Sequence, residues 1–325
     1  MPAIGLLGDV MLGRSVGENL RADPKVALWS DEMRSLCASL DLVICNLECS
    51  ISERGERTPR IRGKPFFFRA PPSAVEALQA IHVRAVSLAN NHALDYEEEA
   101  LADTIQLLGA AGIAAAGAGR GVEPAHRPAI VEAAGKRVGI LCVSDHPREY
   151  AAEEGAYGIA HADLGRGRTG WLRDELGRLR ERCELTVVFP HWGPNMCAAP
   201  ARWQRRAAAA LQAAGADLIA GHSAHVFHGI DWSERGPILS DLGDALDDYR
   251  IDPSLRNDLG VLAIWRPGAE EDELELVGLK LEYCFTGLAR GGEAEWIRDR
   301  LNGACAVLGT RVEQVAEGRF RVRPR

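Results

Sequence analysis

The chain has 325 residues, 38 basic against 46 acidic side chains for a net charge of −8, and 46% hydrophobic residues. This length can bury a substantial core, and the composition is ordinary for a soluble globular protein. The acidic balance argues against a dedicated nucleic-acid surface, so no nucleic-acid partner is expected, although Arg54, Arg57, Arg60, Arg62 and Lys64 offer a local basic patch.

Eight cysteines are present, but none has CxxC spacing, and a chain of this size does not need disulfides. Cys45, Cys142 and Cys183 sit in or beside apolar runs and read as small core residues. The N-terminus lacks a basic n-region and a long apolar h-region, so the expectation is a cytoplasmic protein with no membrane anchor.

Taken in order, Ile4 to Leu7 is an apolar strand followed by GDVMLGRSV and a helical stretch ending near Leu40. Gly8 and Gly13 permit a tight turn that leaves Asp9 at the strand tip, where a lone Asp reads first as a helix N-cap. The next strand is Asp41 to Cys45, and beyond it Asn46 and Glu48 stand two apart, on one side of an extended segment. Residues 51 to 70 are rich in Arg, Gly and Pro and carry Phe66, Phe67 and Phe68. This long excursion is either a basic, aromatic substrate clamp or a solvated loop with its aromatics tucked into the core. A helix through Ile81 then feeds the strand Val83 to Leu88.

That strand runs into Asn90, Asn91, His92 and Asp95, an amide, imidazole and carboxylate set at a strand end, a usual place for chemistry in an α/β protein. Glu97, Glu98 and Glu99 suit a solvated helix start, and Gly112 ends that helix. Ile113 to Ala118 is a short strand, and the Gly117 to Gly121 loop lacks the Lys-Ser/Thr ending of a nucleotide loop. Ala129 to Val143 reads as a hairpin turning at Gly135, which leaves Asp145 and His146 at another strand end. Helix Trp171 to Arg182 leads to strand Thr186 to Phe189 and His191. Helix Ala201 to Ala214 leads to strand Asp217 to Ala220 and GHSAHVFHG. The segments GIDW, PILSDLG, LGVLAIW and LELVGLKLEY read as antiparallel strands. A helix from Glu293 to Leu308 and the strand GRFRV close the chain.

His222, His225 and His228 lie three apart, and three imidazoles so close together are hard to explain as core packing. With Asp9, Glu48, Asn91 and His191 they supply enough donors for two metals. Mixed carboxylate, amide and imidazole donors suit manganese, iron or zinc. Asn46, His146 and His228 are possible additional ligands.

The GD start, NLE, NNHALD, HWG and GHSAHV, in this order over residues 4 to 245, resemble the CapA-type (poly-gamma-glutamate capsule biosynthesis) family of the calcineurin-like metallophosphoesterases. The resemblance implies an α/β fold, a four-layer α/β/β/α sandwich, with two divalent ions (Mn, Fe or Zn) at one end of the sheets. It implies Asp9, Glu48, Asn91, His191, His222 and His225 as ligands, with Glu48 bridging, His92 as general acid and Asp95 orienting it. Three segments depart from the pattern. Met11 stands where the superfamily's first motif has His, which implies a weak or differently built first metal position. Pro194 and Asn195 follow HWG where the family tends to carry an acidic residue, and SDLGDALDD replaces S-L-G-N-F.

The expected organisation is one domain over 1–325, its motif core at 4–245 and C-terminal strands and helix at 246–325. Two functions are in play: a metal-dependent hydrolase, in the first place of phosphoesters, and an accessory or amide-bond-acting protein of polyglutamate or peptide biosynthesis, with or without turnover. The partner is accordingly a small phosphoester or glutamyl-type substrate; the oligomeric state is not legible.

Overall fold

The computed structural model describes residues 1–268 and 272–325. Two mixed sheets organise it. The larger contains, in spatial order, Thr310–Ala316, Arg319–Pro324, Glu273–Glu282, Leu259–Arg266, Ile4–Val10, Leu42–Leu47, Val83–Ser87 and Ala114–Ala116. The smaller runs Ile230–Ser233, Gly236–Leu239, Leu218–Ala220, Leu185–His191, Lys136–Ser144 and Ala129–Ala133. Parallel strands covered on both faces need continuous apolar runs, which is what IGLL, LVIC and TVVF supply.

Three cores separate the layers. Val16, Met33, Leu78 and Leu101, from four helices, pack on one face of the larger sheet. Ile4, Leu6, Ile44 and Leu276 of the larger sheet meet Ile140, Phe189 and Leu218 of the smaller one. Leu172, Leu176 and Leu211 of helices Gly170–Arg182 and Arg202–Ala214 cover the smaller sheet's other face. The helix Gly291–Leu308 adds Ile297 and Leu301 to the core between the sheets. The C-terminal strands thus join the sheet that starts the chain.

Several expectations change. The stretch before Leu40 is two helices, Arg14–Ala22 and Asp31–Ala38, the second capped by Ser30 Oγ on Met33 N. Asp9 lies inside the first strand and is not a helix cap; Gly13 stands at that cap instead. The Ile113 to Ala118 strand is broken at Gly117 (φ +86°) into Ala114–Ala116 and Ala118–Arg120. A strand that the sequence did not signal, Thr310–Ala316, pairs with the terminal one. All eight cysteines are free thiols. Among the described residues no helix is long and apolar enough to cross a membrane.

The most consequential change concerns PILSDLG, expected as one antiparallel strand. Gly236–Leu239 does pair antiparallel with Ile230–Ser233, but its other edge runs parallel to Leu218–Ala220 in the smaller sheet, and the chain then crosses over so that Asp244–Leu246 lies parallel to the end of Ile4–Val10 in the larger. The crossing is possible because two glycines let backbones touch. A Cβ on Gly8 would sit 1.9 Å from the Gly243 carbonyl oxygen, and one on Gly260 would sit 2.1 Å from that of Asp244. Asp9 N donates to Gly243 O at 3.2 Å, and the register sets Asp244 beside Asp9.

Candidate metal centre

The carboxyl ends of both sheets converge on Asp9. In the larger sheet Asp9 is in register with Asn46 on one side and Asp244 on the other. In the smaller sheet His191 is the last residue of its strand and bridges to His222. Two groups of donor atoms each lie within 4.8 Å of one another: Asp9, His191 and His222, and Asp9, Glu48 and His225. The carboxylate common to both groups is Asp9; Glu48, expected in the bridging place, belongs to the second group. Asp9 lies on the strand Ile4–Val10, facing the adjacent His191 and 222–225 segments of the smaller sheet, while Glu48 follows the next strand and its Oε2 accepts from Tyr249 Oη at 2.9 Å.

Asp9 is held on both oxygens. Oδ1 accepts from Asn46 Nδ2 at 2.7 Å and stands 3.1 Å from His222 Nδ1; Oδ2 accepts from Ser223 N at 3.1 Å. Asn46 is therefore a support for Asp9, and Asn90 in turn donates to Asn46 Oδ1 at 3.0 Å. Burial pushes the Asp9 carboxyl up, but the His222 hydrogen bond and the charges of His222 and His225 hold it below the usual carboxylate range. Burial, reinforced by the Asp9 charge, raises Glu48 well above that range. Burial and the neighbouring imidazoles, His222 foremost, push His191 well below the usual imidazole value.

The GHSAH turn is bent to fit. Ser223 (φ +115°) and His225 (φ +58°) take left-handed backbone that costs non-glycine residues about 1–3 kcal/mol each. Asp241 helps hold it by accepting from Ala224 N at 2.7 Å, and also from Gly243 N at 2.9 Å. His225 Nδ1 meets Asp244 Oδ1 at 2.8 Å. Burial lowers the His225 pKa, but Asp244, Glu48 and Asp9 together lift it well above the usual value. His228 turns away: Nε2 donates to the Cys197 carbonyl at 2.8 Å, and burial lowers its pKa to about 4. Its Nδ1 is buried without a partner among the described residues, and it belongs to neither donor group.

Divalent ions fit these residues. Glu48 Oε1, Asn91 Oδ1, His191 Nε2 and His222 Nε2 are buried without hydrogen-bond partners among the described residues, an expensive state for donors and acceptors that a cation would relieve. Asn91, predicted as a ligand, thus presents a free amide oxygen.

His92 and Asp95 form a dyad at 2.6 Å through Nδ1 and Oδ2. The 51–70 excursion holds them: Phe68 N donates to Asp95 Oδ2 at 2.7 Å, Lys64 Nζ pairs with Asp95 Oδ1 at 3.2 Å, and the Phe68 ring stacks on His92 at 3.9 Å. Tyr150 Oη adds a bond to Asp95 Oδ1 at 3.3 Å. Burial, only partly offset by Asp95, lowers the His92 pKa. Phe68 is buried and Phe66 is exposed, so the excursion has one foot in the core and one at the rim. Its basic residues are largely paired, Arg54 with Asp103 and Arg60 with Glu97 and Glu98. The acidic run is accordingly an anchor for the excursion as well as a helix start. His146, the last possible ligand, bonds to Asp145 and lies outside both donor groups.

Asp241, Asp244, Tyr249, Lys64 and Tyr150 were not singled out from the sequence as site residues. The strand-end rule that found Asp9 and His191 also reaches Asp241, just past Leu239. The others carry no such signal: Asp244 and Tyr249 arrive through and just after the crossover, Lys64 through the excursion, and Tyr150 on the short turn Arg148–Tyr150.

The fold and site define an α/β protein with a buried carboxylate–imidazole centre suited to divalent ions. Residues 3–249 match the family described as Bacterial capsule synthesis protein PGA_cap, and the chain belongs to that family. It is similar to a "probable polyglutamine synthesis accessory protein" of Mycobacterium tuberculosis, 28% identical over 94% of this chain and 91% of that one. It is also similar to the PGA biosynthesis protein CapA of Bacillus subtilis, 24% identical over 74% of this chain and 62% of that one. Among solved structures, a hypothetical protein from Thermus thermophilus aligns with a TM-score of 0.44 at 14% identity, covering 87% of this chain and 95% of that one.

Proposed function

We propose that this chain is a metal-dependent hydrolase, in the first place of small phosphoesters, built on the two donor groups that share Asp9. The observation that carries the reading is the pairing of those groups with a His92–Asp95 dyad beside them. Asp9, Glu48, Asn91, His191, His222 and His225 would hold two divalent ions, Mn, Fe or Zn. Such ions, when bound, polarise a substrate oxygen and lower the pKa of water.

The chain's own residues do the rest. Asp95 fixes the His92 ring through Nδ1, so that Nε2 is the edge left to face the leaving oxygen and protonate it. The Phe68 ring lies against the imidazole and limits water around it. Asn46, Ser223 N and His222 keep Asp9 charged and aimed.

A second reading is supported by the resemblance to the M. tuberculosis accessory protein along nearly the whole chain. Here the protein assists polyglutamine or capsule synthesis, or acts on an amide bond of a glutamyl substrate. Protein purified without chelators, assayed for metal and then with manganese on phosphoester and glutamyl-peptide panels, separates the two. His222→Ala with His225→Ala should strip the metal. His92→Ala should keep metal and fold while losing roughly a hundredfold in turnover. That loss should shrink on nitrophenyl phosphate, whose leaving group needs little protonation. Equal loss on aryl and alkyl esters with parallel loss of metal would sink the acid assignment.

A further inference from the structure

A second histidine–carboxylate dyad stands on the other flank of the centre. His92 sits on the side of Glu48 and His225: the Phe68 ring stacked on it lies 5.9 Å from Tyr249, whose hydroxyl bonds Glu48 and whose ring abuts His225. His146 sits on the side of His191 and His222, its ring centroid 5.1 Å from that of His191.

The placement follows from register. Ser144 and His191 are Cα partners at the ends of adjacent parallel strands, so the residues following Ser144 arrive directly beside His191. The turn is then fixed at several points. Asp145 N donates to His191 O at 3.1 Å, Ser144 Oγ to the same oxygen at 3.3 Å, and Gly193 N to Asp145 Oδ2 at 3.3 Å. Asp145 Oδ1 bonds His146 Nδ1, and His161 Nε2 meets the Asp145 carbonyl at 3.2 Å. The Asp145 backbone is held at both its N–H and its carbonyl, and its carboxylate by Gly193 N, so that the carboxylate commits one imidazole nitrogen and aims the ring. Unlike the buried ligand histidines, the His146 side chain is 35% exposed, so its other nitrogen is open to a ligand.

We infer that His146 is a substrate-binding residue, its Nε2 hydrogen-bonding an oxygen of the phosphoester's anionic group from the flank opposite His92, with Asp145 as its positioning residue. This rests on the metal-centre reading above and deepens it: one dyad serves the leaving oxygen, and the other holds the group that stays behind. A phosphate monoester offers both charged oxygens and, when protonated, a hydroxyl, so either state of the ring finds a partner.

The test uses inorganic phosphate as the probe and manganese-reconstituted full-length protein, with binding read by calorimetry and metal content read by elemental analysis. His146→Phe keeps a ring against His191 but has no nitrogen; His146→Gln keeps a polar group near the position of Nε2. The expected result is metal content equal to wild type in both. Phosphate should bind about tenfold to a hundredfold more weakly in His146→Phe, the scale of a lost hydrogen bond to a charged group. His146→Gln should recover most of that, and Asp145→Asn should fall between. Phosphate affinity unchanged in His146→Phe with full metal content overturns the inference alone. Loss of an ion in His146→Phe makes His146 a ligand and overturns it as well. Wild-type protein that takes up no ion, or takes up ions but no phosphate, overturns the metal-centre reading together with the inference.

Discussion

Asp95 is the residue on which the His92 dyad and the 51–70 excursion both depend, so Asp95→Asn tests the architecture of the site. Its side chain is fully buried and accepts from His92 Nδ1, Phe68 N, Lys64 Nζ and Tyr150 Oη. Lys64, with an 8% exposed side chain, keeps only neutral partners once that charge is gone, the Asn91 carbonyl at 2.8 Å and the Tyr150 ring at 5.7 Å among them. Breaking a buried ion pair by removing one partner costs about 3–5 kcal/mol, because the other charge stays buried. Lys64→Met should cost less, about 1–3 kcal/mol, since Asp95 keeps three other donors. Removing both charges relieves the stranded ammonium, so the double variant should be more stable than the sum of the singles by about 2 kcal/mol, within the range found for contacting pairs. Urea unfolding of the four proteins measures this cycle. Turnover in Asp95→Asn should lie between wild type and His92→Ala, because the ring survives without its orienting charge. If Asp95→Asn costs under about 1 kcal/mol, or the two substitutions add to within about 0.5 kcal/mol, the buried pair is not what holds the excursion.

Two further outcomes follow from the geometry. Gly8→Ala places a Cβ 1.9 Å from the Gly243 carbonyl oxygen, backbone against backbone, and should cost about 3 kcal/mol in urea unfolding while loosening Asp244 from His225; stability within about 0.5 kcal/mol of wild type would mean that the crossover does not need the close approach. His228, whose pKa falls from 6.5 to about 4 on burial, stays neutral in the folded chain while the unfolded chain takes up a proton, so stability is lost as pH falls through that window. The difference amounts to roughly 3 kcal/mol at its lower end, and His228→Gln should flatten the melting temperature against pH between 6.5 and 4; an unchanged slope would assign the acid sensitivity elsewhere.

Much of the site was legible because local rules suffice for it. Apolar runs of four to six residues ending in Asp9, Glu48, Asn91, His191 and His222 identify parallel strands and their carboxyl-end residues, since a strand buried on both faces admits polar side chains only where it ends. The hairpin at Gly135 (φ +71°) and the helices Glu97–Ala110 and Gly170–Arg182 followed likewise from turn chemistry and period.

Other features depend on contacts between segments far apart in the chain, and only the tertiary structure decided them. Which carboxylate is common to both donor groups is fixed by strand order: Asp9, on a strand flanked by Leu42–Leu47 and Asp244–Leu246, faces both His191–His222 and His225, and no local pattern encodes that neighbourhood. Asp244 reaches the centre because Gly8 and Gly260, separated from it by 236 and 16 positions, have no Cβ to keep the crossing chain away. Lys64 and Phe68 read alone as a solvated loop or a clamp; their contacts with Asp95 and His92 exist because burial in the core pulls the Phe68 ring inward and draws the excursion over the dyad. The sequence thus determined which residue types stand at the strand ends, by the alternatives that burial forbids, and the packing of two sheets on one another determined which of them meet.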